Sequence, residues 1–201
     1  MTVDPSWTQM QETAFGSSFG QFRLIAYEFA DGSEHVALIF GEPAKEQAPL
    51  VRVQSSCLTG TAFAARLCDC KQQLDLALDS IVKEGAGIVL YMDQEGRGYG
   101  LVEKVRQLSL ISSGLATTAT AAPPEDEGAD RRGYTHAFAI LDSLIDTKSL
   151  LLLTNNPKKI DAFTEAGYDI KRVSLETPPT ESNREYLRIK KEFMGHLLTT
   201  V

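Results

Sequence analysis

Residues 51–92 read VRVQSSCLTGTAFAARLCDCKQQLDLALDSIVKEGAGIVLYM, and this stretch decides the fold class. Val51–Gln54 and Gly87–Met92 are short apolar runs, which are typical of buried strands. Between Cys70 and Gly85 the apolar residues recur every three or four positions, which predicts a helix. A strand, a helix and a second strand in succession indicate an α/β arrangement.

The segments on either side extend this pattern. Phe22–Phe29, the turn Asp31-Gly32 and Glu34–Phe40 predict a β-hairpin. Further strands are predicted at Leu150–Thr154 and Tyr168–Leu175, and helices at 101–111, 131–145, 157–166 and, after a capping box at Ser182-Asn183-Arg184-Glu185, to about 198. We predict an α/β (α+β) fold, a single domain with a mixed β-sheet and flanking helices. The sequence does not set the strand order.

The ends and one internal segment lack such periodicity. Residues 1–18 are polar and irregular, which predicts a loosely ordered leader before a catalytic domain at 19–198. Residues 116–127 are rich in Ala, Thr and Pro and end in acidic residues, so they are predicted to form a mobile loop.

Composition excludes several classes of protein. A net charge of −7 over 201 residues argues against a binder of nucleic-acid polymers, because no broad basic field is available for the phosphate backbone. The chain has no run of 18 apolar residues, and its N-terminus lacks the basic and apolar regions of a signal peptide. We therefore expect a cytoplasmic protein without a membrane span.

Three cysteines, Cys57, Cys68 and Cys70, lie within fourteen residues. Thiolates are preferred zinc ligands, and three of them leave a fourth position open for water, as in catalytic sites. Zinc would lower the pKa of that water toward ~7. Two alternatives stay open: three small buried residues that cluster by chance, or a structural site closed by a histidine (His35, His136 or His196).

Two polar segments each follow a predicted buried strand and precede a helix. Gln94–Gly100 holds three glycines and Arg97, and 154–159 reads TNNPKK. Glycine backbone at a helix N-terminus and basic side chains at a strand's C-terminal end suit an anionic ligand. Asp130-Arg131-Arg132 offers an acid/base group beside a cation. In isolation, the glycine-rich segment is better explained as a tight turn, and 154–159 is explained about equally well as a plain turn. Asp130-Arg131-Arg132 alone is typical of a solvated helix start.

Taken together, the motifs resemble the GTP cyclohydrolase II family of riboflavin biosynthesis over roughly residues 19–198. The resemblance is carried by the following segments: FGQFRL at 19–24, HVAL at 35–38, CLTG at 57–60, CDC at 68–70, QEGRG at 94–98, LTNNPKK at 153–159, YLR at 186–188 and MGHLL at 194–198. No segment resembles a dihydroxybutanone phosphate synthase domain, so the chain is similar to the monofunctional form.

The resemblance implies a role for each matched position. Cys57, Cys68 and Cys70 would hold catalytic Zn²⁺. The nucleotide would be bound by Arg52, Gln73, Glu95, Gly96, Arg97, Thr117, Thr154 and Lys159. Asp130 matches the proton acceptor and Arg132 the arginine assigned as nucleophile. Because a guanidinium stays protonated, we interpret Arg132 as a clamp that stabilises charge on the phosphate.

The implied reaction opens the imidazole ring of GTP, or a related guanine nucleotide. It releases formate and pyrophosphate and yields 2,5-diamino-6-(5-phosphoribosylamino)pyrimidin-4(3H)-one. Mg²⁺ would accompany the triphosphate, and the family suggests a homodimer. The chain departs from the family at Leu67, at Leu108, where the family has a tyrosine, and across 116–127. One alternative is therefore a divergent paralogue that stops at the formylamino-pyrimidine or serves specialised metabolite synthesis. A non-enzymatic zinc-binding module is the alternative from another class.

Overall fold

The computed structural model describes residues 6–121 and 130–201. These residues form one seven-stranded sheet in the order β1-β2-β3-β5-β4-β6-β7. The strands are β1 (Trp7–Ser17), β2 (Gly20–Phe29), β3 (Glu34–Phe40), β4 (Leu50–Ser55), β5 (Gly87–Met92), β6 (Ser149–Leu153) and β7 (Asp169–Val173). The α-helices are α1 (Leu58–Thr61), α2 (Cys70–Glu84), α3 (Leu101–Ser112), α4 (Thr135–Leu144), α5 (Pro157–Glu165) and α6 (Arg184–Met194).

The sheet is mixed, as predicted, and β5 is the strand at which antiparallel pairing changes to parallel pairing. β1, β2, β3 and β5 pair antiparallel, whereas β5, β4, β6 and β7 pair parallel. The carboxyl ends of β4, β5 and β6 therefore lie at one edge of the sheet, where ligands commonly bind in α/β proteins.

Helices cover both faces of the sheet. On one face, α4 and α5 pack over a core that includes Ile88, Leu90 and Ile140. On the other face, α2 places Ala77 and Ile81 against Val89. Because neighbouring residues of β5 point to opposite faces, the uninterrupted apolar run of this strand is explained by burial on both sides. Within the described ranges, no helix combines the length and apolar character that a membrane crossing requires.

Three predictions about local structure are wrong. Residues 7–17, expected in a loosely ordered leader, form β1, which pairs with β2 along its length. The helix predicted from 131 begins only at Thr135, because the preceding loop uses its polar groups elsewhere: Asp130 Oδ1 accepts from the Arg132 backbone N–H, and the Gly133 carbonyl accepts from Gln94 Nε2.

The third concerns the last helix. The reciprocal bonds expected between Ser182 and Glu185 form instead between Thr180 and Asn183, each of which accepts from the backbone N–H of the other. The helix ends at Met194 and not near 198, because Gly195 takes the left-handed conformation (φ 68°) that stops it. Of the predicted mobile loop, 122–127 lies outside the described residues.

Candidate functional site

Three thiols meet at the carboxyl edge of the sheet. Cys57 follows β4, whereas Cys68 and Cys70 lead into α2. Their sulfur atoms all lie within 4.8 Å of one another, and Cys57 Sγ is 3.9 Å from Cys68 Sγ. The Asp69 side chain points away from the sulfurs, since its Oδ2 accepts from Gln73 Nε2 at 2.6 Å. The Cys-x-Cys pair can thus present both thiols to one ion.

The space between the sulfurs fits a metal. A Cβ added to Gly60 would lie 2.7 Å from Cys68 Sγ and 2.9 Å from Cys57 Sγ, so glycine alone leaves the sulfurs room to converge. Among residues 6–121 and 130–201, no histidine or carboxylate atom joins this group of three. A set of three soft sulfur donors suits Zn²⁺.

Lys104 of α3 links the thiols to the glycine-rich loop. Its ammonium donates to Cys57 Sγ at 2.9 Å and to Glu95 Oε1 at 2.8 Å, while Glu95 Oε2 accepts from the Leu58 N–H at 2.6 Å. Hydrogen bonds from Cys68 and Cys70, together with Lys104, hold the pKa of the Cys57 thiol well below its usual range. The same contacts between thiols raise the pKa of Cys70. The contact with the Lys104 ammonium therefore favours the thiolate form of Cys57.

A cleft of about 1240 Å³, measured out to its open mouth, contains the three cysteines. Eleven of the predicted site residues line it: Arg52, Cys57, Cys68, Cys70, Gln73, Glu95, Gly96, Arg97, Arg132, Thr154 and Lys159.

Arg52 and Lys159 place two basic groups at the floor of the cleft. Arg52 donates to Gln54 Oε1, Gln73 Oε1 and the Leu153 carbonyl, so its guanidinium is held in one orientation. Lys159 is buried and donates from Nζ to the Val53 carbonyl at 2.6 Å. Burial, followed by repulsion from Arg52 and Arg132, lowers the pKa of Lys159 well below its usual range.

Asp130 and Arg132 form a bidentate ion pair beside this floor. Arg132 Nε donates to Asp130 Oδ1 at 2.8 Å, and Arg132 Nη1 lies 3.5 Å from Ser55 Oγ. Burial alone would raise the pKa of Asp130, but the bonds to Arg132 outweigh it and lower that pKa, so the carboxylate is ionised. Asp130 itself lines a second cavity, and Arg132 lines both cavities.

The glycine-rich loop forms a short 3-10 turn at Glu95–Gly98, followed by α3. Gly96 and Arg97 both adopt positive φ (61° and 63°), which is uncommon for arginine and turns its side chain toward the loop at 117–121. There Arg97 Nη2 donates to the Thr118 carbonyl. Thr118 lines the cleft, whereas the predicted Thr117 is exposed and bonds to Thr120. The structure does not bring Thr117 to the cleft.

Among the polar residues that line the cleft but were not predicted as site residues are Lys104, Tyr186 and Lys190. Tyr186 lies in the YLR segment at 186–188 that carries the family resemblance, whereas Lys190 is indicated only by its position four residues later on the same face of α6. Leu67 and Leu108, the two departures from the family pattern, also line the cleft.

Residues 8–174 match the family model described as GTP cyclohydrolase II. The chain is 41% identical over 192 residues to the GTP cyclohydrolase-2 of Shigella boydii, covering 94% of this chain and 97% of that protein. It is 43% identical over 195 residues to the riboflavin biosynthesis protein RibBA of Bacillus cereus, covering 95% of this chain and 48% of that protein. The chain thus spans about half the length of the RibBA relatives that it matches.

Proposed function

The chain belongs to the GTP cyclohydrolase II family, and from that premise we propose that it opens the guanine imidazole ring of GTP by hydrolysis. The proposed products are formate, pyrophosphate and 2,5-diamino-6-(5-phosphoribosylamino)pyrimidin-4(3H)-one. One observation carries the proposal: a cluster of three thiols and a set of basic side chains line a single cleft.

We propose that Cys57, Cys68 and Cys70 hold Zn²⁺. When bound, zinc supplies Lewis-acid activation of water at neutral pH. Mg²⁺ is proposed to accompany the triphosphate and to neutralise part of its charge. The donor set supports the zinc proposal, since three converging sulfurs with no carboxylate among them favour a soft ion over Mg²⁺.

The basic floor is proposed to bind the phosphates. Arg52, Arg132 and Lys159 present three cationic or ionisable nitrogen groups around the carboxyl ends of β4 and β6. Arg132 can bind a phosphate oxygen and stabilise charge as pyrophosphate leaves. Asp130, ionised beside it, is proposed as the proton acceptor. This arrangement orients the nucleotide with its base toward the thiols and its phosphates toward the floor.

Other residues shape the base end of the cleft. Both Glu95 oxygens accept hydrogen bonds from the protein, Oε1 from Lys104 and the Gly96 N–H and Oε2 from the Leu58 N–H. Glu95 therefore holds the glycine-rich loop against α1. Gln73, which accepts from Arg52 and donates to Asp69, connects the phosphate floor to the cysteine turn. Thr154 and Arg97 complete the lining.

Leu108 favours a second candidate function. It lines the cleft where the family's pattern has a tyrosine, so a phenol that could donate a proton or position water is replaced by an alkyl group. Under this alternative, the ring opens but the formyl group stays on the pyrimidine. Such a product would suit specialised metabolite synthesis.

One incubation tests both candidates. Protein loaded with Zn²⁺ is mixed with GTP and Mg²⁺, and the products are identified by mass spectrometry alongside formate and pyrophosphate assays. One formate per GTP consumed supports complete hydrolysis. A product that retains the formyl group, converted to the deformylated product by Leu108→Tyr, supports the alternative. Bound zinc with unchanged GTP contradicts both and supports a non-enzymatic zinc module.

We further propose that the protein acts as a homodimer in the cytoplasm. The family resemblance supports this assembly, and light scattering coupled to size-exclusion chromatography tests it. A mass near 22 kDa, that of a single chain, would contradict the homodimer.

A further inference from the structure

The last helix, α6, forms part of the wall of the cleft. It lies beyond residue 174, where the match to the family model ends. Tyr186, Lys190 and Met194 of this helix line the cleft. The Lys190 ammonium lies 4.5 Å above the Tyr186 ring and 3.5 Å from Asp69 Oδ1. A helix outside the matched region thus reaches the turn that carries two of the three thiols.

Asp69 is a buried carboxylate that lies between two thiols, Cys68 and Cys70. Its side chain is only 3% exposed. One carboxylate oxygen accepts from Gln73, whereas the other, Oδ1, has no hydrogen-bond partner among the described residues. A buried carboxylate is stable only when its charge is compensated. Lys190 is the cation that lies within ion-pair distance of Asp69 in the described part of the chain.

We propose that Lys190 is a positioning residue, which fixes the Cys68-Asp69-Cys70 turn through its ion pair with Asp69. Thiolates on either side of Asp69 repel its carboxylate, and water is scarce at this depth. Without Lys190, the carboxylate would turn toward solvent and carry the two sulfurs with it. Partners outside the ligand shell commonly fix ligand orientation in this way. The inference rests on the zinc site proposed above.

Lys190 and the neighbouring Lys191 differ in their contacts. Lys191 stands on the same helix but is exposed, and its ammonium contacts the Val201 carbonyl. Lys191→Met therefore removes an equal charge and an equal side chain without touching the turn. It is the matched control for Lys190→Met.

The first measurement is the affinity for zinc, obtained by competition with a chromogenic chelator. We expect Lys190→Met to weaken zinc binding roughly 10- to 100-fold, the range typical of lost partners outside the ligand shell. Lys191→Met should bind zinc as the wild type does, and Lys190→Arg should recover most of the affinity. Cobalt substitution gives a second readout: the visible absorption bands should shift in Lys190→Met alone, since they report the geometry of the sulfurs.

Asp69→Asn provides the decisive comparison. It removes the charge that Lys190 compensates, so adding Lys190→Met to Asp69→Asn should weaken zinc binding by less than twofold further. The double variant carries no unpaired buried charge at this pair, which keeps the comparison usable if Lys190→Met alone folds poorly.

Each outcome is decisive. Equal zinc affinity in Lys190→Met and wild type overturns the positioning role while leaving the proposed function intact. Full additivity of the two substitutions also overturns it, because Lys190 would then act independently of Asp69. A wild-type protein that binds no zinc overturns both this inference and the proposed metal site.

Discussion

Gly60 is under the tightest steric constraint of the site. Its missing side chain leaves space for Cys57 and Cys68, whose sulfurs would lie less than 3 Å from an added Cβ. We predict that Gly60→Ala reduces zinc content to below half an equivalent, because the sulfurs must move apart. Atomic absorption of the purified variant measures this directly.

The predicted loss of zinc from Gly60→Ala cannot be attributed to the helix, because alanine is a better helix former than glycine. Within α1, Gly→Ala should stabilise the backbone by up to about 1 kcal/mol, so reduced metal content cannot come from a weaker helix. Gly133→Ala is the control, since nothing lies within 4 Å of its added Cβ. Full zinc occupancy in Gly60→Ala would show that the thiols converge in some other way.

Lys159 predicts a coupling between proton uptake and nucleotide binding. Its pKa is depressed by burial and by nearby Arg52 and Arg132, whereas a bound polyphosphate would raise that pKa again. We expect binding of a non-hydrolysable GTP analogue to take up as much as one proton over the pH range below the usual pKa of a lysine. Calorimetry in buffers of different ionisation enthalpy measures this uptake.

The neighbouring lysine offers a control for this prediction as well. Lys158 is exposed, so Lys158→Met should leave proton uptake unchanged, while Lys159→Met should abolish it and weaken binding. Binding enthalpies that do not depend on the buffer in the wild type, across this pH range, would contradict the prediction.

The sequence could predict the site residues that lie in recognisable motifs, but not the others. The cysteines and the basic residues of the floor carry recognisable motifs, and the structure brings them together. Lys104 and Lys190 carry no such motif, because their position depends on how α3 and α6 are rotated against the sheet. The resemblance implies a role for Thr117, whereas Thr118 lines the cleft, because a one-residue step in a loop decides which side chain faces inward.

β1 shows how one anchor holds an exposed strand. Most of its residues are exposed, but the Trp7 ring packs edge-on against Tyr27 at 5.2 Å and Phe29 at 6.4 Å. We predict that Trp7→Ala accelerates amide exchange roughly tenfold over residues 8–16, for a local loss of about 1.4 kcal/mol. Exchange in β5 should not change. Hydrogen–deuterium exchange by mass spectrometry resolves the two segments.

Met10→Ala is the matched control on the same strand, because Met10 is already 45% exposed. It should alter exchange in β1 little. Comparable acceleration by both substitutions would mean that Trp7 is not the anchor and that general strand propensity holds β1 in place.

The accuracy of the predicted elements follows from their burial. Strands β2 to β6 were predicted within about two residues, because burial of one face or both imposes a regular apolar pattern. β1 was missed because its exposed faces impose no such pattern. The start of α4 was predicted too early, since the hydrogen bonds that Asp130 accepts from Arg132 and Gly133 accepts from Gln94 are not encoded by helical periodicity.

The strand order of the whole sheet could not be predicted from the sequence, although family membership could. The pattern of apolar residues identifies each strand but not the strands with which it pairs. The position of β4 between β5 and β6 is determined by tertiary packing. The motifs span the chain in order and spacing, so they identified the family without the topology. The matched region, 8–174, nevertheless begins earlier and ends earlier than the motifs suggested.

A pair of histidines ties distant parts of this sheet together. His35 of β3 accepts from the Asp93 backbone N–H at the end of β5, and its Nε2 lies 3.0 Å from Nδ1 of His136 on α4. Because His35 Nδ1 accepts, its Nε2 carries the proton and donates to His136. Asp31, 3.9 Å from the far nitrogen of His136, lies at the other end of this chain of contacts.

This pair gives the protein a defined acid sensitivity. Burial, followed by repulsion from His136, lowers the pKa of His35 to about 4, against 6.5 for a free histidine, although Asp93 and Asp31 oppose the shift. Between these two pH values the unfolded chain therefore binds a proton at His35 that the folded protein does not bind. The free energy of unfolding falls as the pH drops from about 6.5 toward 4. By linkage, His35 alone removes about 2 to 3 kcal/mol of stability by pH ~4.5.

His35→Asn isolates this contribution, since its amide oxygen can still accept from the Asp93 N–H but does not titrate. Urea unfolding at several pH values between 7 and 4.5 should find the variant less stable at pH 7, with the gap to wild type closing by about 2 to 3 kcal/mol at the acid end. Groups that do not interact with His35, such as His196 and the distant carboxylates, titrate alike in both proteins, so their contribution cancels in the difference. If the two stability curves instead run parallel across this range, His35 binds its proton equally in the folded and unfolded chain, and the acid sensitivity of the fold must originate in groups other than His35.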